Sequence, residues 1–245
     1  MSKHGSVKVG TSGWSYDHWR GKFYPEHLAS QERLPFYTTH FPTVEINNTF
    51  YRTPSEHAVK VWHDEVPRDF AFAVKGSRFV THFRKLVDAR DAVNLFMDRM
   101  SALGGKMEVV LWQLPPKIDA DSKLLDCFLG ELPKMKVRHA VEFRDPSWLT
   151  DDTFAVLRKH NAAHVHVASN QMPRDLTVTA DFVYVRFHGS DYHGAYARPA
   201  LEPWTKFLRE QVQAGRDGYV YFNNDAEGHA PKDAARLIGM LGEDA

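Results

Sequence analysis

The chain reads as a single α/β domain, residues 1–245, folded as a (β/α)8 TIM-like barrel with one helix short or missing. Three observations predict it. Eight short β-like runs start 19 to 38 residues apart, about one βα unit each. Most gaps between them carry a helical pattern, and polar residues crowd the carboxyl ends of the runs. A length of 245 residues matches the ~250 usual for such barrels, with an open doubly wound sheet as the alternative.

In chain order the predicted strands are Val7–Thr11, Thr43–Asn47, Phe70–Lys75, Glu108–Gln113, His139–Arg144, Ala163–Val167, Phe182–His188 and Tyr219–Asn223. The clearest helix is the i+3/i+4 stripe Leu86, Ala89, Val93, Phe96, Met100, Leu103, stopped by Gly104-Gly105. Others are Glu56–Glu65, Ser122–Leu132, Asp152–Asn161, Pro203–Ala214 and Pro231–Leu241, with Asp121 and Asp152 as N-caps and Gly215 and Gly242 as stops. The gap between the sixth and seventh strands is the shortest and contains Asn170, Pro173 and Asp175, so the missing helix is expected there.

Composition narrows the class of function. A hydrophobic fraction of 43% and an aromatic fraction of 13% supply a core and exclude a disordered chain. Lys plus Arg and Asp plus Glu number 31 each, which excludes a whole-molecule polycation for nucleic acid or acidic lipid but allows a local basic patch. The single cysteine, Cys127, excludes an internal disulfide and a thiolate metal site. No apolar run approaches the ~18 residues of a membrane span, and the start lacks a signal-like stretch, so a cytoplasmic location away from membranes is expected.

Alternation within the strands places the candidate site. Bulky apolar positions should face the helices, which turns the polar set inward: Glu45 and Asn47, Lys75, Gln113, Glu142 and Arg144, His164 and His166, Arg186 and His188, Asn223. A purely structural barrel would fill those layers with Val, Ile and Leu.

The ordered motifs Gly10-Thr11-Ser12-Gly13-Trp14, Val44-Glu45-Ile46-Asn47-Asn48-Thr49-Phe50-Tyr51, Gln113-Leu114-Pro115-Pro116, Glu142-Phe143-Arg144, Tyr184-Val185-Arg186-Phe187-His188-Gly189 and Tyr221-Phe222-Asn223-Asn224-Asp225 carry a resemblance. Together they resemble the YecE-like family, the domain of unknown function seventy-two, from about Lys8 to Leu241. The resemblance implies a TIM-barrel-like fold and names no activity. It also implies an acidic residue after the sixth strand, where this chain has Ala168-Ser169-Asn170.

The residues themselves point to an anion. Lys75, Arg144 and Arg186 converge from three strands as candidate substrate-binding cations, with arginine able to fork onto phosphate or carboxylate. Backbone N–H groups of Gly10–Gly13 and Gly228 are candidate additions. Glu142 is the candidate base, His188 the general acid, and Glu45 a second carboxylate whose repulsion would divide the two roles. Asn47, Gln113, Asn223 and Asn224 are candidates for orienting the substrate, and Tyr51 and Trp14 for stacking on it.

The expected function is therefore a barrel hydrolase or lyase acting on a small phosphate-bearing anion. A non-catalytic nucleotide or nucleic-acid binding protein is the alternative, and a carbohydrate-active enzyme using Glu45 and Glu142 a further one. No cofactor is expected. A divalent metal held through His164-x-His166 and His188 is the lesser alternative, because no diagnostic ligand spacing is present. Oligomeric state is outside what the pattern shows.

Overall fold

The structure, a computed structural model, describes residues 4–169, 175–189 and 194–243. Strands β1 (Val7–Ser12), β2 (Thr43–Ile46), β3 (Ala71–Lys75) and β4 (Met107–Gln113) are followed by β5 (Arg138–Glu142), β6 (Ala163–Ala168), β7 (Phe182–Phe187) and β8 (Asp217–Phe222). Each pairs in parallel with the next, and β8 returns to β1, closing an eight-stranded barrel. Arg144, His188 and Asn223 lie just beyond the strand ends, in the loops that form the carboxyl mouth.

Helix α1 (Arg33–Thr38) follows β1, and α2 (Asn48–Tyr51) and α3 (Glu56–Asp64) follow β2. Then come α4 (Arg90–Met100), α5 (Ser122–Gly130), α6 (Asp151–Lys159), α7 (Arg198–Gln213) and α8 (His229–Gly242). Between Ala168 and Phe182 the described residues hold no helix; Asn170 and Pro173 lie outside the described residues. Among the described residues no helix is long and apolar enough to cross a membrane.

Helix starts differ from expectation at several places; α7 begins at Arg198, five residues before the expected Pro203, which lies inside it. The stripe at Leu86 becomes helical only at Arg90, because Lys85, Leu86 and Asp88 hold positive φ of 49°, 69° and 45°. That left-handed backbone interrupts the helix without exposing Leu86 or Ala89, both of which are buried. Asp121 caps α5 as expected, whereas α6 is capped by Thr150, whose hydroxyl accepts from the Thr153 N–H.

Apolar side chains form two layers, one between barrel and helices and one inside the barrel. The inner layer includes Ala73, Leu111, Ala140, Val165, Tyr184 and Tyr221, which confirms the inward set for β3, β4, β5, β7 and β8. Strand β6 is the correction. Val165 and Val167 belong to the inner layer, while His164 packs on Phe143 and Phe154, and His166 on Phe207 of α7. Imidazole is apolar enough to serve as helix-facing packing when neutral, and burial pushes His164 down to about 4 and His166 to about 3.

Candidate functional site

Beneath the mouth sits a buried ionic frame built by four strands. Arg186 of β7, fully buried, donates from Nη2 to Glu45 Oε1 of β2 at 2.7 Å and from Nη1 to Glu142 Oε2 of β5 at 2.6 Å. Ser12 of β1 donates to the same Glu45 oxygen, and Tyr184 donates to Glu45 Oε2 at 2.6 Å. Arg144 Nε donates to Glu142 Oε1. Burial, the largest single effect, would raise both carboxyls; Arg186 together with Ser12 and Tyr184 overcomes it and holds Glu45 below its ordinary value, and Arg186 together with Arg144 and His188 holds Glu142 well below.

His188 completes the frame. Its Nε2 is 3.7 Å from Glu142 Oε2, and Asn223 Nδ2 is 3.0 Å from its Nδ1. Burial first, then Arg186, push it down to about 4, so the ring is neutral at neutral pH. Glu45, Glu142 and His188 are each at most 1% exposed and none lines the cavity above them. A general base needs a lone pair to spare and a general acid a proton. In this frame each oxygen of Glu142 is bonded to an arginine and shielded from solvent, and His188 carries no extra proton.

Above the frame opens a cavity of about 520 Å³. Asn47, Lys75, Gln113, Arg144 and Asn223 reach it from five strand ends, Phe50 and Tyr51 from α2, and Tyr16, Arg78, His82 and Phe83 from the segments after β1 and β3. Among the described residues its wall holds three cations and no carboxylate. Lys75 Nζ lies 4.3 Å from the centroid of the Phe50 ring and makes no hydrogen bond or ion pair among the described residues. Burial first, then the charge of Arg186, push it down to about 8. Gln113 likewise makes no side-chain hydrogen bond among the described residues, and Asn47 Oδ1 is buried without a partner while its Nδ2 donates to Ser12. Unpaired polar groups around one space are costly unless something fills it.

A family profile described as "Protein of unknown function DUF72" matches residues 8–245. The chain belongs to the DUF72 family. Among its relatives is UPF0759 protein YunF of Bacillus subtilis, 26% identical over 274 residues covering 96% of this chain and 94% of YunF. UPF0759 protein YecE of Escherichia coli K12 is 29% identical over 143 residues, 58% of this chain and 50% of YecE. A crystal structure of a DUF72 protein from Thermotoga maritima superposes with a TM-score of 0.89 at 29% identity, covering 97% of this chain and all of the other. One from Enterococcus faecalis reaches 0.82 at 18% identity over 96% of this chain and 95% of its own, which shows the shared fold.

In this DUF72 protein several sequence candidates land elsewhere. Trp14 does not line the cavity; it packs edge-on against Trp62, and its carbonyl accepts from the Tyr24 hydroxyl. Asn224 is turned outward from the mouth, its Nδ2 donating to Asp233 Oδ2 at 2.9 Å and to the Gly194 carbonyl at 2.8 Å. The loop amides proposed as anion donors are spent: Thr11 N–H on Tyr37 Oη, Gly13 N–H on the Glu45 carbonyl, Gly228 N–H on the Asp225 carbonyl. Glu45 and Glu142 share one guanidinium and no solvent, so the pair of accessible carboxylates that glycoside hydrolysis requires is not formed. The metal alternative loses its ligands, since His164 and His166 face the helices and no metal-holding group of three His, Cys, Asp or Glu occurs among the described residues.

Arg78, His82 and Phe83 were missed by sequence reasoning. They sit in the β3–α4 loop, where Phe79–Phe83 form a single π-type turn with no hydrophobic period to betray it. The available signal was position alone, since loops after barrel strands build the mouth.

Proposed function

We propose that the barrel mouth binds a small phosphate-bearing anion and acts on it as a hydrolase or lyase. One observation carries the reading: Lys75, Arg78 and Arg144 line a cavity whose wall has no carboxylate among the described residues, while the nearby Glu45 and Glu142 are balanced by Arg186 together with Arg144, so the positive charge is in excess. Arg144, held through its Nε by Glu142, presents a fixed planar cation, and Lys75 adds a point charge in a poorly solvated wall. Such preorganised positive groups also stabilise negative charge that develops during bond cleavage. Asn47, Gln113 and Asn223 orient the rest of the molecule.

Glu142, Glu45 and His188 serve here as positioning groups: Glu142 fixes Arg144, and His188 fixes Asn223. The test is calorimetric titration with inorganic phosphate at low ionic strength. Native protein should bind, with affinity falling steeply as salt rises, and Arg144→Met should weaken binding by at least about tenfold, the loss of one charge-assisted contact. Equal affinity in the two proteins would remove Arg144 from the site and refute the reading.

The exposed rings of Tyr51 and Phe83, each 5.6 Å from the Arg78 guanidinium carbon, favour a second reading as a nucleotide-binding protein without turnover. Binding of adenosine monophosphate at least tenfold tighter than inorganic phosphate, with no product formed, would support it.

A further inference from the structure

We propose that Lys75 is an amine nucleophile that forms a Schiff base with a small phosphate-bearing aldehyde or ketone. The inference rests on the anion reading above and names its substrate class. Three features of the site carry it. First, among the described residues Lys75 Nζ lacks the carboxylate partner that buried lysines ordinarily have, although two carboxylates are nearby. Arg186, Arg144, Ser12 and Tyr184 occupy the oxygens of Glu45 and Glu142, leaving the amine to the face of Phe50.

Second, this amine opens on the cavity rather than on bulk solvent: the residue is 9% exposed and lines the 520 Å³ space. If its only task were to hold phosphate, a guanidinium would do so better and could not lose its charge. A lysine in a desolvated cationic wall holds a larger share of neutral amine, the form that attacks a carbonyl carbon. The drop from 10.5 to about 8 raises that share roughly three-hundredfold at neutral pH.

Third, a proton carrier shares the Phe50 ring with it. His82 lines the same cavity and packs edge-on against Phe50 with ring centroids 4.9 Å apart. Burial first, then Lys75, Arg144 and Arg78, hold His82 below its ordinary value and therefore neutral.

The step balances without a co-reactant. The neutral amine adds to the carbonyl carbon, and one proton passes from the nitrogen through His82 to the resulting alkoxide, which becomes a hydroxyl. A second proton, from solvent, lets that hydroxyl leave as water while the nitrogen lone pair closes the C=N bond. The imine is therefore cationic, so it can draw electrons from a C–H or C–C bond next to the former carbonyl. Arg144 and Arg78 hold the phosphate meanwhile. The subclass favoured by this chemistry is a lyase.

The experiment uses the full chain, with glycolaldehyde phosphate as probe and sodium cyanoborohydride to reduce any imine to a stable secondary amine. Peptide mass mapping compares labelling of Lys75 with that of exposed Lys60, with and without excess inorganic phosphate, alongside the phosphate titration. Lys75 is expected to label about a hundredfold faster than Lys60 at neutral pH, and inorganic phosphate to suppress it. Phosphate binding without preferential labelling of Lys75 would overturn the Schiff-base proposal and leave the anion reading standing. Fast labelling that phosphate does not slow would overturn the phosphate site, and with it the stated substrate class.

Discussion

Replacing Lys75 by methionine should make the protein more stable at neutral pH. Methionine has nearly the same length and volume and needs no water, so it can lie along Phe50 without the cost of a desolvated ammonium. The depression of the amine from 10.5 to about 8 corresponds to roughly 3 kcal/mol against the charged folded state. For a chain of this size that is a rise in Tm of about 6–12 °C. The pH dependence has a definite sign. Between about 8 and 10.5 the unfolded chain still binds the proton that the folded protein has lost, so native stability rises with pH through this window. Below it the full penalty applies, and above it the penalty vanishes. Melting curves of both proteins from neutral pH to above 10.5 should show the gap closing. A methionine variant that melts no higher at neutral pH, or a gap that ignores pH, would refute the idea that Lys75 is an unpaired, desolvated cation.

Glu142→Gln should lower stability by about 3–5 kcal/mol at neutral pH, because it leaves Arg144 and Arg186 with one carboxylate fewer in a sealed frame. Since Glu142 is held well below its ordinary value, the native advantage is complete above about 4.3 and is lost progressively as pH falls from there towards the much lower folded value; urea melts at pH 7 and at pH 3 to 4 should show the gap beginning to shrink. Gly10→Ala should be at least as damaging as overpacking of about 1–3 kcal/mol, since a Cβ there would sit 2.0 Å from the Thr43 carbonyl oxygen on the neighbouring strand. A Tm within experimental error of native for that variant would show that β1 and β2 can part without cost.

Residue types and spacing carried the barrel because every strand shows its two faces. Val183, Val185 and Phe187 against Tyr184, Arg186 and His188 leaves little choice of which set meets the helices. The same logic failed at β6, where His164 and His166 looked like polar interior residues and proved to be neutral packing beneath α6 and α7. Polarity by residue type cannot distinguish a charged imidazole from one whose proton has been removed by burial. Within the site, alternation brought Asn47, Lys75, Gln113, Arg144 and Asn223 to one mouth, and all five line the cavity. It could not say that Glu142 would be consumed by two arginines while Lys75, equally charged and equally placed, would be left with a ring. Which lone pairs are already taken depends on distances between strands that are remote in sequence.

The charge arrangement explains why the interior departs from aliphatic layers. Arg186 alone ties β7 to β2 and β5, and through the shared Glu45 to Ser12 of β1, so one buried guanidinium fixes the relative height of four strands. A hydrophobic layer of similar volume would hold the barrel at least as firmly, because desolvating such a network is expensive. What aliphatic side chains could not do is anchor Arg144 by its Nε while surrounding Lys75 with carboxylates that are already bonded. The frame therefore makes sense as a support for the cavity cations: Arg186 and Arg144 together balance its two carboxylates, and the charges of Lys75 and Arg78 are left in excess at the cavity above. This predicts an order of sensitivity. Changes at Arg186 should cost folding first, changes at Arg144 should cost anion affinity with the barrel intact, and changes at Lys75 should gain stability while abolishing carbonyl chemistry. A Lys75 variant that lost stability would place the amine inside the frame instead of above it.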